Sequence, residues 1–155
     1  MLVQEFLERS ADRLPTKVCL VCDGRGPVAE RLTYADVEAQ ANRLANALKA
    51  GGLQRGDRVG LFMPNCIELV IGIFAVLKAG GCFVVINQST KHDKIAYILN
   101  NCQAAALMML GRQAELARQL SQEAPSLKMV VLTSAPADPA SGFMSYETIQ
   151  AESSA

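Results

Sequence analysis

The stretch Asp57–Asn87 has the sequence DRVGLFMPNCIELVIGIFAVLKAGGCFVVIN. Its first part, 57–63, is a short apolar run, and its last part, 82–87, is β-branched and aromatic, so we predict two buried strands. The part between them, 66–79, is apolar on nearly every face, which predicts a buried helix. Strand, helix and strand with short connections indicate a right-handed βαβ unit with parallel strands.

Helix-end signals frame this unit. Asn65 can cap the first turn of the helix, and Glu68 follows three residues later, as in a capping box. Gly80 stands where a left-handed C-terminal cap belongs. Because both strands and the whole helix surface are apolar, the rest of the chain is expected to supply part of their cover.

Periodic apolar patterns predict the elements on either side of the βαβ unit. Predicted helices are 2–13, 92–102, 112–123 and 146–151, and a further helix that Thr33 and Asp36 cap and that ends at Gly51-Gly52. Predicted strands are 104–110 and 128–133, together with 17–22 and 30–34, which form a hairpin. The fold class is therefore α/β: an open, mostly parallel sheet with helices on both faces, preceded by a helix and a β-hairpin. We expect one domain over 1–155, with 134–155 as a loop and a weakly ordered tail.

Composition and charge exclude several classes of protein. The 155 residues carry 15 Lys plus Arg and 15 Asp plus Glu, so the net charge is zero. Nucleic-acid-binding and anionic-membrane-binding proteins usually have a basic excess, so neither partner is expected. The N-terminus lacks the features of a signal peptide, and the apolar run 66–79 is shorter than the about 20 residues that span a bilayer. We predict a cytoplasmic protein without a membrane span.

Five cysteines, most of them within apolar runs, predict buried free thiols in a reducing compartment. Cys19 and Cys22 form a C-x-x-C motif, a spacing that occurs in redox and zinc sites. Positions three apart in a strand face opposite sides, and no second pair with ligand spacing follows. Core packing is therefore the favoured interpretation of both cysteines.

Open α/β sheets bind ligands at the carboxyl ends of their strands. The segments at these ends are Pro64-Asn65, Asn87–Thr90 and Gly111-Arg112, and none forms a dinucleotide or phosphate-loop motif. Asn87–Thr90 is the best anion-binding candidate, because the start of a helix follows it. Ordinary capping of that helix by Ser89 or Thr90 is favoured over anion binding.

The other candidates near the strand ends are weaker. His92 could do acid–base chemistry, but spacing assigns it no acidic or nucleophilic partner, so an exposed first-turn histidine is favoured. The Gly51-Gly52 and Gly80-Gly81 pairs follow helices, at the wrong end of the sheet, and are expected to be helix caps. Arg112 is the one cation at the predicted strand ends. We assign no catalytic, cofactor-binding or metal-binding residue.

Five segments in a fixed order carry a resemblance to a known family. They are Leu32–Val37, Gly56–Val59, Met63–Asn65, Leu77–Asn87 and Ile95–Ala104. Together they resemble the N-terminal part of the acyl-adenylating family, which includes acyl-CoA synthetases, fatty-acyl-AMP ligases, luciferases and nonribosomal-peptide adenylation domains. The resemblance covers about residues 2 to 133. It implies that the chain is the first subdomain of a longer ligase.

The chain departs from the family pattern in two ways. The family usually has proline where Val85 and Gln88 stand, and without it the strand can pair further. The family's enzymes are also several times longer, and their phosphate loop would come after Ala155. The resemblance therefore transfers no catalytic residue, and no ligand is expected on this chain alone.

As the resemblance implies, the parent enzyme would join a carboxylate to ATP with magnesium and pass the acyl group to a thiol of CoA or phosphopantetheine. Its partner would be the remainder of that enzyme, and exposed apolar surface could lead to self-association. Two alternatives stay open. One is a non-catalytic α/β module that binds a protein, and the other is a small nucleotide-binding enzyme with a degenerate loop at 87–90.

Overall fold

A computed structural model describes residues 1–23, 26–135 and 141–152. The elements in chain order are α1 (Gln4–Arg13), β1 (Val18–Cys22), β2 (Glu30–Thr33), α2 (Tyr34–Ala50), β3 (Arg58–Phe62), α3 (Ile67–Lys78), β4 (Cys82–Ile86), α4 (His92–Asn101), β5 (Ala104–Leu110), a 3₁₀ turn (Gly111–Gln113), α5 (Ala114–Glu123), β6 (Met129–Thr133), β7 (Met144–Ser145) and α6 (Tyr146–Glu152). Most of the predicted loop at 134–141 and the predicted tail at 153–155 lie outside the described residues. Within the described part, no helix combines the length and the apolar character needed to cross a membrane.

The strands form a hairpin and a parallel sheet, as predicted. β1 and β2 pair antiparallel, and the main sheet has the order β4-β3-β5-β6-β7 with every pair parallel. The chain therefore leaves β3 toward β4 on one side and later returns to β5 on the other side. β7 is a fifth strand that sequence patterns missed, because two residues are too few to show a period.

Helices cover both faces of the main sheet. One face packs against α2, α3 and α6, with Val37, Leu44, Leu61 and Ile71 in the core cluster, and α1 packs on the outside of α2 and α3. The other face packs against α4 and α5, with Ile95, Leu99, Leu107 and Leu120 in a second cluster. Such a three-layer arrangement is the predicted open α/β architecture.

The central helix α3 is buried as predicted, with Ile71 fully buried and Phe74 half-buried. The prediction that β4 is a buried strand is wrong. β4 is an edge strand of the main sheet, and Phe83 and Val85 are 39% and 51% exposed. A run of β-branched residues suits an edge strand and a central strand equally, so only the strand order separates the two.

Two of the predicted helix caps are correct, one formed by a glycine and one by a reciprocal capping box. Gly80 has φ +82°, and its N–H donates to the Leu77 carbonyl. Thr33 and Asp36 form the capping box of α2. The predicted Asn65 cap of α3 is wrong: the chain stays extended at Cys66, which occupies the cap position. Asn65 therefore lies one residue too early to reach the first free amides of the helix.

Candidate functional site at the carboxyl edge of the sheet

The parallel strands bring four loop segments to one edge of the sheet. Pro64-Asn65 follows β3, Asn87-Gln88 follows β4, Gly111-Arg112 follows β5 and Ser134 follows β6. Two cavities of about 540 and 430 Å³ open here, and Pro64 lines both. Because β3 has β4 on one side and β5 on the other, this edge includes the topological switch point where open α/β sheets bind ligands.

The first cavity lies beyond β3 and β4. Its apolar walls are Met63, Pro64, Leu69, Val85 and Ile86, and its polar walls are Asn65, Asn87 and Gln88. Neutral amide and aliphatic side chains thus share the lining of this cavity, which suits an uncharged ligand segment better than a phosphate, because neutral side chains offset little charge.

The loop after β4 is closed by its own hydrogen bonds. Asn87 Oδ1 accepts from the Ser89 N–H at 2.9 Å and from the Ser89 hydroxyl at 2.8 Å, and the Thr90 N–H donates to the Asn87 carbonyl at 2.9 Å. The prediction that Ser89 or Thr90 caps α4 is wrong, because Lys91 occupies the cap position. The amides of Ser89 and Thr90 already have acceptors in this turn, which weakens Asn87–Thr90 as an anion loop.

The second cavity lies at the switch point between β3 and β5. Its walls are Pro64, Leu110, Gly111, Arg112 and Ser134, and Arg112 is the one cation among the residues that line the two cavities. Sequence reasoning selected Arg112 as the cation of the strand ends. The structure places it at the switch point between β3 and β5, the position at which open α/β sheets bind ligands.

Ser134 is a wall residue that sequence reasoning missed. It has φ +57°, an uncommon conformation for a residue with a side chain. Its N–H donates to Glu147 Oε1 at 2.7 Å, and the Ser145 hydroxyl donates to Glu147 Oε2 at 3.3 Å. The carboxylate of α6 thus holds the end of β6 in its strained turn. No sequence signal links the two residues, because they are 13 positions apart and belong to different elements.

The structure gives His92 a partner but does not place it among the residues that line the two cavities. Its Nε2 lies 3.1 Å from Glu123 Oε2, and both side chains are more than one-third exposed. Glu123 ends α5, 31 residues later in the chain, so local spacing could not have found it. The pair joins two helix ends on the surface, which agrees with the prediction of an exposed first-turn histidine.

The C-x-x-C motif packs differently from the prediction. A bulge between Val18 and Leu20 shifts the strand register, so Cys19 and Cys22 both pack against the same core cluster instead of facing opposite sides. Burial raises the pKa of the Cys19 thiol. In the part of the chain that the structure describes, no group of three or more metal-binding side chains occurs.

The predicted burial of the other thiols is partly wrong. Cys82 is exposed because β4 is an edge strand, and Cys66 and Cys102 are half-buried. Cys19, Cys22, Cys82 and Cys102 are free thiols, as predicted.

Comparison with known proteins identifies the family. The family model described as AMP-binding enzyme matches residues 7–153. The chain therefore belongs to the AMP-binding enzyme family, and the resemblance noted from the sequence is confirmed.

Individual relatives agree with the family. A 3-oxocholest-4-en-26-oate–CoA ligase of Rhodococcus rhodochrous is 32% identical over 98% of this chain and 27% of that protein. A crotonobetaine/carnitine–CoA ligase of Escherichia fergusonii is 32% identical over 88% of this chain and 27% of that protein. An anthranilate CoA ligase crystallised with anthranoyl-AMP matches with a TM-score of 0.87 at 26% identity, over 99% of this chain and 28% of that chain. The chain thus spans about a quarter of the length of these relatives.

Proposed function

We propose that this chain is the first subdomain of an AMP-forming acid–thiol ligase. The observation that carries the proposal is the family match over 7–153, together with similar proteins that are named CoA ligases. The parent enzyme converts a carboxylate and ATP into an acyl-adenylate and pyrophosphate. It then passes the acyl group to a thiol of CoA or of phosphopantetheine and releases AMP. Adenylation makes chemical sense because it replaces a poor leaving group with a good one.

The cavities at the carboxyl edge do not by themselves fit ATP with magnesium. A triphosphate requires several cationic or amide donors, and magnesium requires carboxylate oxygens. The residues that line the two cavities supply one cation, Arg112, and no carboxylate. We therefore infer that the remainder of the parent enzyme holds the nucleotide, and that it is the main partner of this chain.

We assign the carboxyl edge the role of one wall of the acyl or pantetheine channel. The uncharged cavity beyond β3 and β4 supports this role, because Leu69, Val85 and Ile86 line it together with the amide side chains of Asn65 and Asn87. Arg112 lines the cavity at the switch point, and in this proposal it contacts the negative end of a ligand that extends across it. The protein is expected to work in the cytoplasm, where ATP and CoA are available.

Pyrophosphate exchange tests the proposed activity. The complete product of the reading frame should exchange pyrophosphate with a subset of fatty, aryl and amino acids. The 155-residue chain alone should remain at background. Calorimetry of this chain with ATP and magnesium should show no saturable heat at millimolar ligand, which means a binding free energy weaker than about −4 kcal/mol. Exchange by the short chain that is lost on replacing Asn87, Ser89 or Thr90 with alanine would support the small nucleotide-binding enzyme instead.

A wall variant tests the channel. Val85→Trp places a bulky indole in the cavity beyond β3 and β4, and it should lower kcat/KM for the best acyl substrate of the complete enzyme by about tenfold or more. Val28→Trp is the matched control, because Val28 is 81% exposed and lines neither cavity. Equal activity of the two variants would contradict the assignment of this edge to the channel while leaving the adenylation chemistry intact.

A further inference from the structure

The outer edge of β4 has no partner strand among the described residues. β4 comes first in the strand order β4-β3-β5-β6-β7, so β3 is its one neighbour there. Its five residues pair with β3 in continuous register, without a bulge. The opposite edge of the sheet is β7, which has only two residues. The edge at β4 is therefore the one that is long enough to add another strand.

The backbone groups of Phe83 and Val85 point toward this open edge. The Cys82 N–H donates to the Asp57 carbonyl at 2.8 Å, on the side of β3. Successive residues of a strand direct their N–H and carbonyl groups to alternate sides. The even-numbered residues of β4 therefore bond to β3, whereas Phe83 and Val85 each present an N–H donor and a carbonyl acceptor to the outside.

β4 lacks the features with which proteins normally protect an edge strand, which are charged side chains, proline, bulges and very short strands. Residues 79–90 include no charged residue and no proline. The side chains of Phe83 and Val85 are exposed, and they lie on the face of the strand opposite to Val84 and Ile86, which pack against the second core cluster. The edge thus offers backbone hydrogen bonds and apolar side chains together.

This edge is complementary to itself. When a second β4 pairs antiparallel about a two-fold axis at Val84, Phe83 of each copy lies opposite Val85 of the other copy. Each of these pairs exchanges two backbone hydrogen bonds. Each also places an aromatic ring beside a β-branched side chain, which is a favourable cross-strand combination. The net charge of zero adds no overall repulsion between two copies.

We propose that β4 is a self-association surface, at which a second copy of this chain adds its own β4 antiparallel and continues the sheet across both molecules. The contact is isologous, because the same residues are used on both sides. A pair of five-residue strands buries less area than a standard protein interface, so the dimer is weak and its population depends on concentration. The proposal rests on the edge of the sheet and does not depend on the proposed ligase function.

Amide hydrogen exchange measured by NMR tests the proposal on the unmodified 155-residue chain. The Val84 and Ile86 amides bond to β3 and should be protected at every protein concentration. The Phe83 and Val85 amides should exchange rapidly at about 50 μM and at least about threefold more slowly at about 1 mM, as expected for a weak dimer. Sedimentation velocity over the same range should show the conversion of monomer to dimer.

Val85→Pro removes the outward N–H at position 85 from both copies and none of the hydrogen bonds to β3. Proline is tolerated on edge strands, so the variant should keep the circular dichroism spectrum of the folded chain. Its dimer dissociation constant should rise by about tenfold or more. Val85→Ile is the matched control, because it keeps the N–H and the β-branched side chain. Phe6→Ser removes an exposed apolar side chain of α1 and should also leave the dimer unchanged.

Several results would overturn the proposal. Association that survives Val85→Pro in the folded chain, or that disappears with Phe6→Ser, would place the contact elsewhere. A monomer at about 1 mM would exclude even a weak dimer. Protection of the Phe83 and Val85 amides at all concentrations in the complete product of the reading frame would show that another strand of the same polypeptide occupies this edge.

Discussion

Replacing Lys78 with methionine is expected to destabilise the fold by about 3–5 kcal/mol, because it leaves a buried carboxylate without its counter-charge. Lys78 is the last residue of α3, and its side chain is only 8% exposed. Its ammonium group donates to Glu8 Oε1 of α1 and to Glu38 Oε1 of α2, each at 2.7 Å. One lysine therefore ties three helices together on the same face of the sheet.

The two carboxylates contribute unequally. Glu38 is 19% exposed and its Oε2 has no hydrogen-bond partner among the described residues, so losing Lys78 leaves a largely buried, under-satisfied charge. Glu8 is 42% exposed, and water can solvate it when the partner is lost. Glu8→Gln should therefore cost at most about 1 kcal/mol, as exposed ion pairs do. The double change Lys78→Met with Glu38→Gln should recover much of the loss, because it removes the unpaired charge together with the lysine.

Urea unfolding followed by circular dichroism measures these effects. With a slope of about 2 kcal/mol per molar urea, Lys78→Met should lower the unfolding midpoint by about 2 M. The ranking of the variants is the sharper test, because it does not depend on extrapolation. The reasoning is refuted if Lys78→Met is no worse than Glu8→Gln, or if adding Glu38→Gln to Lys78→Met deepens the loss.

Three further predictions follow from single positions. Gly111→Ala should lower the free energy of unfolding in urea by about 1–3 kcal/mol, since its added Cβ would lie within 3.0 Å of Ala135 and the Thr133 carbonyl. Gly26→Ala is the control and should be close to neutral, because its added Cβ would have no described atom within 4 Å. Thr33→Ala should lower stability by about 1 kcal/mol at neutral pH. The side-chain and backbone hydrogen bonds from Thr33 hold the pKa of Asp36 below its ordinary value of 3.8. The stability that these hydrogen bonds contribute is therefore present above about pH 3.8, and it is lost as the pH falls through the lower pKa of the folded state. Val85→Lys should reduce self-association through the exposed apolar edge of the sheet, and light scattering that already shows a monomer for the unmodified chain would contradict this.

The position of the exposed apolar surface shows which features of the fold can be predicted from the sequence and which cannot. We expected part of the surface of α3 to remain exposed, because this helix is apolar on every face. In the structure α2 and the sheet cover most of α3, and the exposed apolar side chains belong to other elements, with Phe6 of α1 58% exposed and Val85 of β4 51% exposed. Local hydrophobicity indicates which segments can be buried, but the layer order determines which of them are buried.

The candidate site also combines residues that the sequence predicts with contacts that only the structure reveals. The strand ends Pro64, Asn87 and Arg112 follow from the sequence, since the end of each apolar run marks the edge of a parallel sheet. Ser134 and its contact with Glu147 do not, because the contact depends on how the short element α6 returns to the sheet. The Asn65 cap also fails for a local reason: one extended residue at Cys66 shifts the helix start.

The sequence by itself determined the α/β class, the βαβ unit, the helix ends at Thr33 and Gly80, and the family. These features depend on residue type and on spacing along a few turns of chain, which local periodicity and backbone preferences control. Only the tertiary structure decided that β4 is an edge strand and that Lys78 joins three helices. Each of these depends on contacts between residues about 20 to 70 positions apart, and such contacts are selected by the free energy of packing the whole core rather than by any local pattern.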